Sequence, residues 1–265
     1  MNFRPDVMLR RAMHRTESIL DAIGKRAYFG KDIVRGLREP GTWVPETIRQ
    51  MYRIGVESLP LTIIVAAFLG GVTAFQTRYQ LFPGVQLSVV GLIARQSIVL
   101  ELGPLLTALV LTGRIGARMT AEIGTMRVTE QIDALETLSF DPVAYLATPR
   151  VLATLVMLPA LTIIANGTAI FSAWATLILA TDVRTDDFVS GLRLAFTPFQ
   201  VVYSLIKAVS FGGAIAFVCS YQGYVTEAGA EGVGKSTALA VVIASVSILV
   251  LDAIVAAIFA PFIQA

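Results

Sequence analysis

Charged side chains are scarce in this chain. Of its 265 residues only 15% are Asp, Glu, Lys or Arg, whereas 55% are hydrophobic and the mean hydropathy is +0.71. Soluble globular domains carry about 25% charged residues, so this chain has too little polar surface to cover itself in water. The shortage argues against a soluble protein and indicates an integral membrane protein.

Cysteine and histidine are almost absent. The single cysteine, Cys219, excludes an internal disulfide, and its apolar neighbours predict a buried small hydrophobe. The single histidine, His14, cannot build a cluster of His ligands or a triad with so distant a cysteine. The net charge of +2 is too small to suggest a nucleic-acid partner. We therefore expect no metal site, no catalytic residues, no cofactor and no nucleic acid on this chain.

Long apolar runs are what the chain has instead. A bilayer core takes about 20 apolar residues as a helix, and five segments qualify. Period-2 alternation is missing from all of them, and backbone groups in lipid must be bonded within each segment, so helices are expected. The third segment is interrupted by Pro159 and Asn166-Gly167. The expected spans are Val56–Gln76, Gly91–Gly113, Val151–Ala180, Phe199–Tyr221 and Thr237–Ile263.

The basic residues predict the orientation. Sixteen of the 21 Lys and Arg residues fall in residues 1–55, in the 114–150 loop, or at Lys235. Positive residues favour the cytoplasm, which predicts a cytoplasmic N-terminus and a C-terminus on the opposite side of the membrane. Residues 1–55 form the first predicted region and 56–265 the five-span domain. In the first region, apolar residues recur among basic ones, as in a helix lying in the membrane interface or packed on protein. This apolar set consists of Met8, Leu9, Met13, Ile19, Leu20, Ile23, Ile33, Val34 and Leu37.

Gly229–Thr237 reads "GAEGVGKST" and satisfies the phosphate-cradling pattern G-x-x-x-x-G-K-[ST]. A working P-loop follows a buried strand and opens a helix on a parallel sheet, but apolar spans flank this one. The Asp252 that could hold magnesium lies inside the fifth span. We interpret the match at 229–236 as a false P-loop in a cytoplasmic turn, with Ser236-Thr237 capping the fifth span.

Three ionisable residues lie within the expected spans: Glu101, Lys207 and Asp252. Each costs about 2.5–3.5 kcal/mol at the bilayer centre on insertion scales, so such residues pair or line a pathway. Two acids and one base predict a shared cluster between the second, fourth and fifth spans. The cluster is either a structural clamp or part of a substrate path, and Arg95 either joins it or reaches the surface.

The longest internal loop, 114–150, carries an apolar stripe of its own. Its members recur at mostly three- and four-residue intervals, with acidic residues between them, which predicts short amphipathic helices ending at Asp141-Pro142. With no membrane to face, the stripe suggests docking to another protein, although a solvated linker helix shows the same pattern. The stripe consists of Ile123, Met126, Ile132, Leu135 and Leu138.

Five stretches together resemble the MlaE/YrbE family, the permease subunits of Mce-associated lipid ABC transporters. They are the block Glu101–Pro142 and the strings "PRVLA", "LIKAVSFG", "GAEGVGKSTALAVV" and "LDAIVAAIF". The resemblance implies that the loop before Pro142 is a coupling helix for a separate ATPase, which places Glu122, Glu130 and Asp133 at that interface. It also matches the three buried charges to charged positions near the family's lipid cavity. One departure is Leu100, where family members often carry Arg.

The expected protein is therefore an all-α permease with an interfacial N-terminal helix, five spans and a cytoplasmic coupling helix. The resemblance implies a homodimer that moves phospholipid between the inner membrane and an MCE-domain carrier. The implied partners are an ABC ATPase that binds ATP-Mg, a small cytoplasmic STAS-domain subunit and membrane lipids. One alternative is a proton-coupled secondary transporter or channel that uses the buried Glu101, Lys207 and Asp252. Another is a scaffold that anchors a complex through the docking loop, although it gives the buried charges no role.

Overall fold

The computed structural model describes residues 5–38, 40–227 and 229–263, and within them omits the side chains of residues 5–19, 22, 42, 260 and 263. Every regular element in these ranges is helical, which confirms the all-α class. The α-helices are α1 (Pro5–Gly36), α2 (Pro40–Gly55), α3 (Leu59–Gln80), α4 (Ser88–Ser97), α5 (Gly103–Leu111), α6 (Ala117–Val128), α7 (Gln131–Thr137), α8 (Pro142–Ala180), α9 (Thr185–Arg193), α10 (Pro198–Tyr224) and α11 (Ala230–Ile263). A 3-10 turn (Val56–Ser58) and two π turns (Ile98–Leu102 and Thr112–Gly116) join some of them.

Five helical stretches in the described ranges are long and apolar enough to cross a membrane. Each begins before the span predicted from the sequence, because apolar runs mark only the part of a helix among lipid tails. No break separates residues 1–55 from the spans, since α2 continues into α3 through the 3-10 turn. The stretches are Trp43–Gln80, Ser88–Val128, Pro142–Ala180, Pro198–Tyr224 and Ala230–Phe259.

Most of the predicted loop 114–150 is helix. The helix α6 prolongs the second span, the short α7 follows, and α8 begins at Pro142, well before the predicted Val151. The Asp141 carboxylate caps α8 by accepting hydrogen bonds from the backbone N–H groups of Val143 and Ala144, at 2.9 and 3.2 Å. We call the end of the bundle that holds α7 the α7 end, and the end that holds α9 the α9 end.

The third span is a single helix of 39 residues, so the predicted interruption at Pro159 and Asn166-Gly167 is wrong. Small residues explain how its neighbour α3 packs so closely along it. A Cβ on Gly70 would lie only 1.9 Å from the Ala169 carbonyl oxygen, so the two backbones touch. Such contacts between small residues are a common way for helices to associate in lipid. The buried small residues recur at four-residue intervals as Ala66, Gly70 and Ala74 on α3 and Ala165, Ala169 and Ala173 on α8.

The described part of the N-terminal helix packs on the bundle by one face and leaves other apolar residues exposed. Ile33 is buried against the bundle, as a helix packed on protein requires. Four other members of the predicted apolar set point outward, as an interfacial helix requires; they are Leu20, Ile23, Val34 and Leu37. The side chains of the remaining members, Met8, Leu9, Met13 and Ile19, lie outside the described residues.

Candidate functional site

The three ionisable residues of the spans meet around one lysine. The Lys207 ammonium donates a hydrogen bond to Glu101 Oε2 at 2.6 Å. Asp252 Oδ1 lies 2.7 Å from the same Nζ, which forms an ion pair. The ammonium also lies 5.0 Å from the centre of the Tyr203 ring, a cation–π distance. The cluster thus joins the second, fourth and fifth spans, as the sequence predicted of a shared cluster.

The cluster lies near the middle of the apolar spans, a level that we call mid-bundle. Lys207 is nine residues past the start of α10 and Asp252 eleven residues before the end of α11. At 1.5 Å per residue these positions are about 14 and 17 Å from the α9 end of their helices, half of a hydrocarbon core about 30 Å thick. At this depth lipid tails offer no partner to a charge, which is why the three residues bind one another.

The cluster is lopsided in both charge and exposure. One ammonium faces two carboxylates, so the three groups together carry one negative charge when both acids are ionised. The Lys207 side chain is 0% exposed and that of Asp252 13%, whereas the Glu101 side chain is 45% exposed. Glu101 therefore forms the side of the cluster that is open to molecules outside the single chain.

A π turn presents Glu101. Pro104 follows it on the second span and has no N–H, so the ordinary helical bond to the Leu100 carbonyl cannot form. The helix accommodates this by widening over Ile98–Leu102, and such π turns occur frequently at functional sites. Gly103 permits a close approach here, since a Cβ on it would lie 1.8 Å from Asn166 Oδ1.

A file of polar contacts continues from the cluster toward the α9 end. Ser204, one turn from Lys207 on α10, accepts a hydrogen bond from Asn166 Nδ2 at 3.1 Å. Gln200, one turn further, accepts a hydrogen bond from Arg95. Sequence reasoning missed Asn166, Ser204 and Gln200. The i, i+4, i+7 spacing of Gln200, Ser204 and Lys207 on one helix face was a signal that could have found two of them.

Arg95 does not join the charged cluster. It is buried, and Nη2 donates to the Leu194 carbonyl at 2.9 Å and to the Ala195 carbonyl at 3.3 Å. The guanidinium carbon also lies 5.3 Å from the centre of the Phe196 ring. Arg95 therefore ties the second span to the segment after α9, because a buried guanidinium needs several acceptors.

A second group of charges lies at the α7 end, where the second π turn places Arg114 on the same span. Glu122 accepts hydrogen bonds from Arg118 Nε at 2.9 Å and from the buried Arg150 Nη2 at 3.2 Å. Glu57 accepts one from Arg118 Nη1 at 2.8 Å. We call this group the arginine network, and it consists of Arg53, Glu57, Arg114, Arg118, Glu122 and Arg150.

The three residues expected at an ATPase interface have different surroundings. Glu122 is held within the arginine network and is only partly exposed. Asp133 is exposed and accepts a hydrogen bond from Arg127 at 2.7 Å. Glu130 is exposed in the connection before α7, with a left-handed φ of 60°. The structure therefore does not gather them into one site.

The apolar stripe of this region is mostly buried in its own chain. Ile123 and Ile132 pack with Leu146 of α8, and Met126 and Leu135 are partly buried against them. Docking of the whole stripe onto another protein is therefore wrong, because α7 folds back and covers most of it. Leu138 is the exception at 69% exposed, and Phe140 beside it is 50% exposed.

The P-loop pattern adopts no phosphate-binding loop. The helix α11 begins at Ala230, so all of the match except Gly229 is helix and the predicted turn is wrong for this part. The preceding element is the helix α10. Lys235 pairs with Glu231 one turn away at 2.8 Å, with both side chains exposed. The predicted capping by Ser236-Thr237 is wrong, since the Thr237 hydroxyl bonds to the Val233 carbonyl inside the helix. Over the described ranges, no three His, Cys, Asp or Glu side chains are grouped to hold a metal ion.

Five apolar helices around a buried lysine shared by two acids define a multi-pass α-helical membrane protein. The sequence model of the family described as Permease MlaE matches residues 47–258. A "Probable ABC transporter permease protein" of Rickettsia felis is 34% identical over 247 residues, which cover 92% of this chain and 95% of that protein. One of Synechocystis is 37% identical over 208 residues, covering 77% and 78%.

A third relative is the Arabidopsis thaliana protein TRIGALACTOSYLDIACYLGLYCEROL 1, chloroplastic. It is 32% identical over 231 residues, which cover 87% of this chain and 65% of that protein. The chain belongs to the MlaE family of ABC transporter permeases. The recognition made from the sequence is confirmed, and the permease names of the relatives are consistent with a transporter subunit that is not itself an enzyme.

Proposed function

We propose that two copies of this chain enclose a cavity through which phospholipid moves, with the Glu101–Lys207–Asp252 cluster in its wall. The observation that carries the proposal is the 45% exposed Glu101 side chain at mid-bundle depth. A carboxylate exposed at that depth is costly against lipid tails, so it faces water, a polar headgroup or a partner chain. A second copy placed against this side shields Glu101 from lipid and leaves room for a headgroup.

The orientation follows the positive residues. The α7 end holds the arginine network and most of the other basic residues, so it faces the cytoplasm. The α9 end and the C-terminus then face the periplasm of a bacterial inner membrane. An MCE-domain carrier exchanges lipid at the α9 end. The Arabidopsis relative is named after a lipid built on diacylglycerol, and this name supports a glycerolipid as the substrate.

The ATPase docks at the α7 end and binds ATP-Mg, and a small STAS-domain subunit accompanies it in the cytoplasm. The exposed Leu138 and Phe140 are better candidates for the docking surface than Glu122, which the arginine network already holds. Glu130 is exposed just before α7 and Asp133 is exposed within α7, and the two supply a charged rim. Apolar anchors within a polar rim are the usual composition of a docking surface.

Lipid transfer by the reconstituted complex tests the proposal. The chain, its ATPase and its carrier are placed in liposomes containing a fluorescent phospholipid, and ATP-dependent transfer to the carrier is followed. Glu101→Gln removes the open charge of the cluster, and we expect at least a tenfold slower transfer from a normally assembled complex. Glu231→Gln, an exposed acid at the α7 end, is the control and should transfer normally. Full transfer by Glu101→Gln would contradict the proposal.

A further inference from the structure

The second half of α1 is fixed to the bundle by one face. Phe29 packs edge-on against Tyr221, with ring centres 5.4 Å apart. The Ile33 carbonyl accepts a hydrogen bond from the Thr148 hydroxyl at 3.3 Å. Phe29, Ile33 and Gly36 are all buried and recur at the i, i+4, i+7 spacing of one helix face. The opposite face of this half is therefore held in a defined direction, away from the bundle.

That outward face carries three cations around a depression. Lys31 and Arg35 lie one turn apart on α1, and Arg38 lies in the turn that follows it. All three are exposed and, together with the exposed Val34, line a depression of about 350 Å³. Asp32 lines a different pocket, beside Tyr28 and Phe29. Among the described residues, the lining of the depression is thus three cations and one apolar side chain.

The depression lies close to a tryptophan at the start of a membrane-crossing stretch. The first stretch able to cross a membrane begins at Trp43, and the Trp43 indole N–H donates to the Leu37 carbonyl at 3.4 Å. Tryptophan is enriched at the headgroup level, where its ring is partly among lipid tails. Trp43 bonds to Leu37, one residue past the end of α1, so Lys31, Arg35 and Arg38 lie close to a residue type that favours the headgroup level.

We propose that this basic face of α1 binds the headgroup of an anionic phospholipid. Three cations on one fixed face match a negatively charged headgroup, and Lys and Arg clusters on amphipathic helices are typical of such binding. The exposed Val34 and Leu37 favour lipid over an acidic protein surface, because apolar side chains beside headgroup-binding cations can enter the upper part of the acyl chains. The site is separate from the Glu101 cluster and from transport.

Quenching of tryptophan fluorescence by brominated lipid measures the binding. The chain has only two tryptophans, so a Trp174→Phe background leaves Trp43 as the reporter beside the site. The purified chain is reconstituted into nanodiscs containing brominated phosphatidylglycerol or brominated phosphatidylcholine. We expect phosphatidylglycerol to quench Trp43 preferentially, and Arg35→Gln to lower that preference by roughly fivefold. Added salt should lower it too, because mobile ions screen exposed charges.

Two variants complete the test. In the triple variant Lys31→Gln/Arg35→Gln/Arg38→Gln, the two brominated lipids should quench Trp43 equally. Lys25→Gln should keep the full preference, because Lys25 pairs with Asp21 at 2.8 Å and lies outside the depression. Equal quenching by the two lipids in the parent would overturn the proposal, as would an unchanged preference in both Arg35→Gln and the triple variant. Loss of ATPase co-purification in the triple variant without any lipid preference in the parent would assign the face to a protein partner instead.

Discussion

The mid-bundle cluster and the arginine network stand at the two π turns of one span, yet their charge balances are opposite. The cluster has two acids for one cation, which is completely buried. The arginine network has four arginines for Glu57 and Glu122, and most of its side chains are partly exposed. In both, a π turn aims a charged side chain of the second span at neighbouring helices.

The surrounding medium explains the difference. Water screens a surplus of like charge, so the α7 end can hold extra arginines at little cost, and exposed ion pairs contribute only about 0–1 kcal/mol each. Near the bundle centre each ion has lost its hydration, and removal of one partner from a buried pair costs about 3–5 kcal/mol. The same type of contact should therefore respond very differently to mutation in the two places.

The largest effect is expected at Lys207. Lys207→Ala strands two carboxylates that pair with no other cation in the part of the chain that the structure describes, so the free energy of unfolding should fall by about 3–5 kcal/mol. Asp252→Asn is the matched change, because it leaves the Lys207–Glu101 hydrogen bond intact and should cost clearly less. Thermal unfolding in detergent and lipid transfer measure both variants. Equal, mild losses would mean that the two ion pairs contribute little.

A glycine at each π turn shows how differently the two turns are packed. A Cβ on Gly103 would collide with Asn166 and with the Ile98 carbonyl oxygen 2.7 Å away, whereas a Cβ on Gly113 meets nothing within 4 Å. Gly103→Ala should therefore destabilise by about 1–3 kcal/mol through overpacking. Gly113→Ala should be neutral or stabilise by up to about 1 kcal/mol, because alanine favours helix. Similar unfolding temperatures for the two variants would show that the first π turn tolerates a side chain.

The smallest effect is expected at an exposed pair near the α9 end. Arg78 donates two hydrogen bonds to the Asp182 carboxylate, at 2.8 and 2.7 Å, and these hold the pKa of Asp182 below its ordinary value. Because the carboxyl pKa is lower in the folded than in the unfolded chain, the ionised carboxylate stabilises the folded chain above about pH 3.9. That contribution is lost as the pH falls further. Asp182→Asn should therefore cost slightly at pH 7 and nothing in acid. Unfolding curves over this range check the sign, and a larger loss in acid would contradict it.

Composition was enough to predict the class of the protein and the number of spans, because burial in lipid demands apolar runs of a certain length. The three charged residues inside those runs were also evident, since any ion there stands out. The bounds of the helices were harder. Polar residues prolong α8 and α11 beyond the lipid, where long apolar runs are missing, so the predicted spans were too short. The apolar stripe of 114–150 did predict short helices, but it contained no signal that α6 continues the second span.

Sequence by itself determined the five spans, their helical form and which ionisable residues had to find partners among them. Only the tertiary structure decided which partners they find: Lys207 lies between Glu101 and Asp252. Arg95 bonds to Gln200 instead of joining them. The tertiary structure also decided that the stripe with Ile123 and Ile132 faces inward. Spacing along a chain defines one face of one helix, but a contact between helices depends on how distant segments pack. A buried charge binds whichever group that packing brings within reach, because water is no longer there to compete.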